Sequence, residues 1–103
     1  IIGDDIELDL DRRELLRGDE WIHLRPKEAG LLELFARSPG RALTRGLILE
    51  RVWGPHHDVD PRTVDVHVRW LRAKIEPDPH TPVWLLTVRG VGYRLETLPL
   101  TER

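Results

Sequence analysis

The segment between Pro61 and Pro77, RTVDVHVRWLRAKIE, constrains what this chain can fold into more than any other stretch. At about 100 degrees per residue, Val64, Val68, Leu71 and Ile75 fall within about 60 degrees of one another, so the segment is a helix with one apolar stripe. That stripe needs a core to cover it. Asp60 and Pro61 supply an N-cap and a first helical position, and the EPDP cluster at 76–79 closes the helix after Ile75. The other side carries Arg62, Thr63, Val66, His67, Arg69, Trp70 and Lys74. A merely solvated face would not mix cations with bare apolar groups in this way, so a partner is expected there.

The rest of the chain supplies that core. IELDL (6–10), ELLR (14–17) and WIHL (21–24) are short alternating runs separated by charged or glycine-containing turns, which predicts an antiparallel meander. Pro26 opens a first helix where its missing N–H costs nothing, Glu28 suits the positive helix end, and Ser38-Pro39-Gly40 stops it. Thr44 is the expected N-cap of a second, shorter helix, RGLILERV, whose Ile48, Leu49 and Val52 share a face before Trp53-Gly54-Pro55 ends it. VWLLTV and GYRLET flank the turn RGV, which predicts a hairpin. The whole of 1–103 thus reads as one domain with a sheet in 1–24, three helices in 26–75 and a hairpin in 83–97. This is an α+β architecture, a winged helix-turn-helix, in which the helix at 62–75 is the one that enters a DNA major groove.

Charge and residue usage narrow the function further. The net charge is −2, yet residues 1–20 hold eight acids and three arginines while residues 62–94 hold five arginines and a lysine against Asp65, Glu76 and Asp78. A locally basic surface attracts phosphates whatever the total, because fields are screened beyond roughly 8 Å at physiological salt. There is no cysteine, hence no disulfide framework or thiolate metal site, and a reducing cytoplasm is permitted. No apolar run approaches the roughly twenty residues of a membrane span, and no secretory leader is evident. Starting Ile-Ile and lacking methionine, the chain reads as a piece of a longer protein. No serine sits in a nucleophile elbow, and the GVG at 90–92 is too short to cradle a phosphate, so neither an enzyme nor a cofactor is expected. His56, His57, Asp58 and Asp60 are metal-ligand types in one loop, but adjacent histidines diverge and lack an i, i+4 partner, so no metal is expected.

Three stretches, RPKEAGLLELFARSPGRALTRGLILERVWG, DVDPRTVDVHVRWLRAKIE and TVRGVGYRLE, occur in that order. Together they closely resemble the output domain of OmpR/PhoB-type two-component response regulators, up to Leu95. The resemblance implies a four-stranded N-terminal sheet, three helices and a C-terminal wing. It also implies a cytoplasmic bacterial transcription regulator in a phosphorelay, whose receiver domain is absent from this chain. Its partners would be double-stranded DNA in direct repeats, a tandem copy of itself, the receiver, and an RNA polymerase subunit touching the loop of Gly54, Pro55, His56, His57 and Asp58. Positions matching the family's DNA contacts are Trp53, then Arg62, Thr63, Val66, His67, Arg69 and Arg72, then Thr87, Arg89 and Tyr93 on the hairpin.

Each matched residue has chemistry suited to the task. Arg62 at the helix start can combine its guanidinium with the helix end to hold a phosphate, Arg69 can approach a base edge or the backbone, and Arg72 a phosphate. Val66 offers a thymine methyl an apolar contact. The hydroxyls of Thr87 and Tyr93 suit phosphate oxygens, and Arg89 at the wing tip suits a narrow minor groove. Trp53 has a second reading as a lid over the helix pair, and Tyr93 as packing for the hairpin.

Two positions depart from the family pattern. Trp70 stands where a second arginine is usual: facing a groove, it would touch sugars and thymine methyls, and otherwise it packs against the wing or another subunit. Arg25 stands where a threonine cap is usual, a loss of about 1 kcal/mol at the start of the first helix. Gly30 and Gly46 each add roughly another 1 kcal/mol of helix destabilisation against alanine. A different class of function also fits the fold: a winged-helix module for protein contact using Trp70, Leu47 and the histidine loop. Presenting Arg62, Arg69, Arg72 and Arg89 together favours DNA.

Overall fold

A computed structural model describes residues 6–96, so residues 1–5 and Thr97, at the ends of the expected sheet and hairpin regions, lie outside the described residues. The chain opens with three strands, β1 (Ile6–Asp9), β2 (Glu14–Arg17) and β3 (Glu20–His23), which pair in that order as an antiparallel sheet. Helix α1 (Pro26–Ala36) follows, then β4 (Leu43–Thr44), α2 (Arg45–Trp53) and α3 (Arg62–Ile75), and the chain ends in β5 (Leu85–Val88) and β6 (Gly92–Leu95). All four stripe residues of α3 are fully buried or nearly so. They pack with Leu31, Leu32 and Phe35 of α1, Ile48 and Leu49 of α2, and the inward residues of both sheets.

Two features differ from expectation. Among the described residues the N-terminal sheet has three strands rather than the four implied by the family resemblance. A second three-stranded sheet is made instead by β4, β6 and β5, with Leu43 opposite Tyr93 and Thr44 opposite Gly92. Two residues are too few to carry an alternation, so β4 was invisible as a pattern. Thr44 nevertheless caps α2 as expected, its hydroxyl accepting from Leu47 N–H at 3.1 Å.

The helix starts show how local chemistry shifts by one position. Regular α3 begins at Arg62, with Asp60 capping from just ahead: its carboxylate accepts Arg62 N–H at 2.8 Å and its carbonyl accepts Thr63 N–H at 2.8 Å. The expected weakness at Arg25 is offset from the opposite direction. Glu28 reaches back to accept Arg25 N–H at 2.8 Å, the half of a capping box that does not need a threonine.

Buried carboxylates then fix the wing and α1 to the C-terminal end of α3. Glu76 is fully buried and accepts from the N–H groups of Val83, Trp84 and Leu85, at 2.9, 3.1 and 2.7 Å. The stretch leading into β5 is thereby pinned to the residue that ends the helix. Arg17 of β2 donates to the carbonyls of Lys74 and Glu76, satisfying acceptors the helix end leaves open. Glu28, also fully buried, takes Lys74 Nζ at 2.5 Å. Lys74 therefore leaves the outward face on which helical geometry alone had placed it and ties α3 to the start of α1.

Candidate nucleic-acid interface

The outward side of α3 divides into a centre and two flanks. Arg62, Val66 and Arg69 are exposed along the centre, Val66 by 43% despite its apolar side chain. On the flank toward the hairpin lie Asp65 and Arg72. Arg72 does not float in solvent: its Nε donates to Leu85 O at 2.9 Å and its NH2 to Thr87 Oγ1 at 3.0 Å, while its guanidinium carbon sits 5.6 Å from the Tyr93 ring. Thr87 keeps its own hydroxyl hydrogen for a further acceptor.

Asp65 collects the remaining groups of that flank. Its Oδ1 accepts from Arg45 Nε at 2.8 Å and from the Tyr93 hydroxyl at 2.5 Å. Tyr93 is 6% exposed, so the structure turns inward a hydroxyl that the sequence had offered to a phosphate. Burial, and then the hydrogen bond to Asp65, hold this phenol above its ordinary value against the opposing pull of Arg45. Beyond Tyr93 the hairpin turns at Arg89 and Gly90, with Val91 N–H on Val88 O at 2.9 Å. Gly90 takes φ 77 there, a left-handed conformation that glycine adopts without a side-chain penalty. Arg89 is left exposed at the tip.

A row of rings occupies the opposite flank. Trp53 and His67 meet edge to face with centroids 5.0 Å apart, and His67 and Trp70 lie 5.0 Å apart with a 58° tilt. His67 is anchored by Nδ1, 2.8 Å from Thr63 O, and because a carbonyl only accepts, Nδ1 carries the hydrogen. Cations from the start of α1 close both ends of the row. Lys27 Nζ is 5.8 Å from the Trp53 ring and donates to Val52 O, and the Arg25 guanidinium lies 4.6 Å from the Trp70 ring centre. Trp53 is half-buried against the core, while Trp70 stays exposed beneath the Arg25 guanidinium just ahead of α1.

Arg62 is held by Asp60 through a two-pronged ion pair, with NH2 on Oδ2 at 2.7 Å and Nε 3.2 Å from the same oxygen. The contact lowers the Asp60 carboxyl to about 2. In the loop 54–58, His56 and Asp58 are exposed, and His57 Nδ1 accepts Val59 N–H at 3.3 Å. Among the described residues, no cluster of three or more metal-ligating side chains occurs, and no helix is long and apolar enough to cross a membrane.

The family described as transcriptional regulatory protein, C terminal, matches residues 18–95. The chain belongs to this OmpR/PhoB-type family. MtrA of Mycolicibacterium paratuberculosis, a DNA-binding response regulator, is 49% identical over 90 residues, which cover 87% of this chain and 40% of MtrA. The chain therefore spans about two fifths of the length of the curated relatives it matches. The response regulator DrrB of Thermotoga maritima, an OmpR/PhoB homolog, superimposes with a TM-score of 0.81 at 33% identity, over 90% of this chain and 42% of DrrB. The DNA-binding domain of Klebsiella pneumoniae RstA, solved in complex with RstA box, gives 0.78 at 28% identity, over 93% and 95%.

Within this OmpR/PhoB-type domain, the positions matched by sequence fall into two groups. Arg62, Val66, Arg69, Arg72, Thr87 and Arg89 lie on the outward side of α3 and the adjoining wing. Thr63, His67, Trp53 and Tyr93 are partly or largely buried and hold that surface in shape. Arg25, Lys27 and Arg45 had not been singled out as site residues. A basic residue just before or just inside a helix start was the available signal, but nothing local says which helix it will face.

Proposed function

We propose that the domain binds double-stranded DNA sequence-specifically as the output domain of an OmpR/PhoB-type response regulator, with α3 in the major groove and Arg89 of the wing at the minor groove. The observation that carries this is the joint presentation of Arg62, Val66 and Arg69 on the exposed centre of α3 with Arg72 and Thr87 linked beside them. Val66 suits a thymine methyl and Arg69 a guanine edge or the backbone. Arg62 exchanges Asp60 for a phosphate, and Arg72 with Thr87 offers a second phosphate site. A module built only for protein contact has little use for cations divided between a helix and a hairpin tip.

The wider assignments follow from family membership. In the full-length protein a receiver domain, itself phosphorylated, would precede this one, and two copies would dock in tandem on direct repeats. The loop of Gly54, Pro55, His56, His57 and Asp58 would meet an RNA polymerase subunit. The setting is a bacterial cytoplasm, and the role is regulatory rather than catalytic.

Selection of the purified domain against a random double-stranded pool tests the reading, followed by salt titration on the enriched site. Direct repeats and a log K against log salt slope of about −4 to −6, the release expected for some five neutralised phosphates, are expected. Trp70→Arg carried through the same selection shows whether position 70 sets part of the half-site. Failure to enrich any sequence overturns the reading in favour of a protein-contact module.

A further inference from the structure

Arg25 and Trp70 are 45 positions apart, each departs from the pattern that the family resemblance implies, and the fold stacks one on the other at 4.6 Å. We infer that Arg25, delivered by the start of α1 and seated on Trp70, is a further DNA contact that grips a backbone phosphate on the flank of α3 opposite the wing. The inference rests on the DNA-binding reading above and adds to it a residue from outside the helix-turn-helix.

Geometry selects a phosphate over a base. A helix with its side chains is about 10–12 Å across, and the major groove is about 12 Å wide, so α3 fills it. Whatever projects beyond a flank of α3 meets a groove wall, and the walls are sugar-phosphate backbone. On one flank Arg72, Thr87 and the wing supply that contact. On the other the structure offers Arg25 beyond the Trp70 ring, with Lys27 further along over Trp53.

Charge accounting leaves Arg25 available. Its NH1 lies 3.5 Å from Glu28 Oε2, a long contact, while Lys74 Nζ meets the other oxygen of the same carboxylate at 2.5 Å. Lys74 is the better partner for Glu28, so the three groups together keep one positive charge, located on the exposed guanidinium. Its side chain is 58% exposed, and among the described residues that long contact is its one side-chain hydrogen bond. A guanidinium presents five N–H donors in one plane, and stacking on an indole leaves the edge of that plane free for a phosphate.

Trp70 is backed by His67, which is itself bonded to Thr63 O, and a guanidinium already seated over that ring has less rotamer freedom to lose on binding a phosphate. The cation absent from position 70 is thus restored through space from α1.

Binding is measured on the duplex enriched by the unaltered domain, across a salt series, for Arg25→Ala, Arg25→Lys, Trp70→Ala and the Arg25→Ala/Trp70→Ala pair, with thermal unfolding alongside. Arg25→Ala keeps the backbone N–H that Glu28 accepts, so the variant folds. It is expected to bind roughly tenfold more weakly at low salt, to lower the steepness of the salt slope by about one, and to leave base preference unchanged. Trp70→Ala loses a comparable factor, and the pair is no weaker than the weaker single variant, because each removal disables the other. Arg25→Lys keeps the slope at a few-fold loss. An unchanged slope in Arg25→Ala, with the unaltered domain binding normally, overturns this contact alone and leaves the DNA-binding reading in place. A domain that enriches no duplex overturns both.

Discussion

The Tyr93 hydroxyl donates to Asp65 Oδ1 at 2.5 Å, and through that single oxygen, shared with Arg45, the wing, the start of α2 and α3 are joined. An acid in the first turn of a DNA-facing helix looks unhelpful, since it faces a polyanion. Its use here is internal: it neutralises Arg45 and orients the hairpin, and Arg45 in turn covers the Tyr93 ring at 5.5 Å.

Tyr93→Phe tests that junction. Loss of one hydrogen bond to a charged acceptor is expected to cost about 1.5 kcal/mol at neutral pH. The folded phenol titrates above its ordinary 10.0, so its contribution is fully present below that value and is lost as pH rises through the folded one. The unfolding midpoint of the parent should therefore fall more steeply than that of Tyr93→Phe in the alkaline range. Parallel alkaline profiles would show that the hydroxyl contributes nothing.

Asp60 sets an acid limit at the start of α3. Its carboxyl is lowered from 3.8 to about 2, first by the Arg62 side chain and then by Arg62 N–H. A depressed folded value contributes stability above the ordinary one, and that contribution disappears as pH falls through about 2. A carboxyl NMR titration should place the Asp60 midpoint well below the ordinary 3.8, and Arg62→Ala should move it back toward that value. The ion pair is exposed to solvent, so global stability should barely respond to the substitution.

Glu76→Ala leaves the N–H groups of Val83, Trp84 and Leu85 without their acceptor. Buried donors stranded in this way predict a loss of about 4 kcal/mol in urea denaturation, a large part of the stability of a domain this size. Glu76→Gln retains one acceptor oxygen and should lose about half as much. A loss below about 1 kcal/mol for the alanine variant would mean that water replaces the carboxylate.

Two glycines should respond in opposite directions to alanine. At Gly30 in α1 a Cβ would rest 3.6 Å from Val52 Cγ1, an ordinary contact, so Gly30→Ala should gain about 1 kcal/mol from helix propensity alone. At Gly92 the same atom would overlap the Leu43 carbonyl oxygen, forcing β4 from β6. Gly92→Ala should lose about 2 kcal/mol or more and weaken DNA binding with it. Thermal unfolding of the pair decides both signs.

Helix α3 was legible because its signal is local: the periodic stripe, Asp60-Pro61 ahead of it and the proline cluster behind it are all within one short stretch, and its bounds, Arg62–Ile75, agree with the pattern. The arginines of the candidate interface were legible for the same reason, being on that helix or in the stretch that resembles the family's wing motif. What the sequence hid is pairing at a distance. Glu28 and Lys74 are 46 residues apart, and Asp65 and Tyr93 28 apart, and nothing in the residues around either member specifies the other. Lys74 therefore reads from the sequence as part of the outward face, and Tyr93 as either a phosphate contact or packing for the hairpin, with no acceptor specified for its hydroxyl. Arg25 looked like a poor cap because a cap was the one local role open to it.

The close seating of Gly92 on Leu43 has a mechanical consequence. Strand β4 runs directly into α2, and β6 directly out of the wing turn, so this contact welds the two jaws of a caliper at a fixed opening. A fixed caliper cannot relax to fit a duplex whose grooves are too wide or too narrow. The strain of any mismatch falls on the DNA, and base pairs that no side chain touches are then sorted by how readily they bend to the gauge.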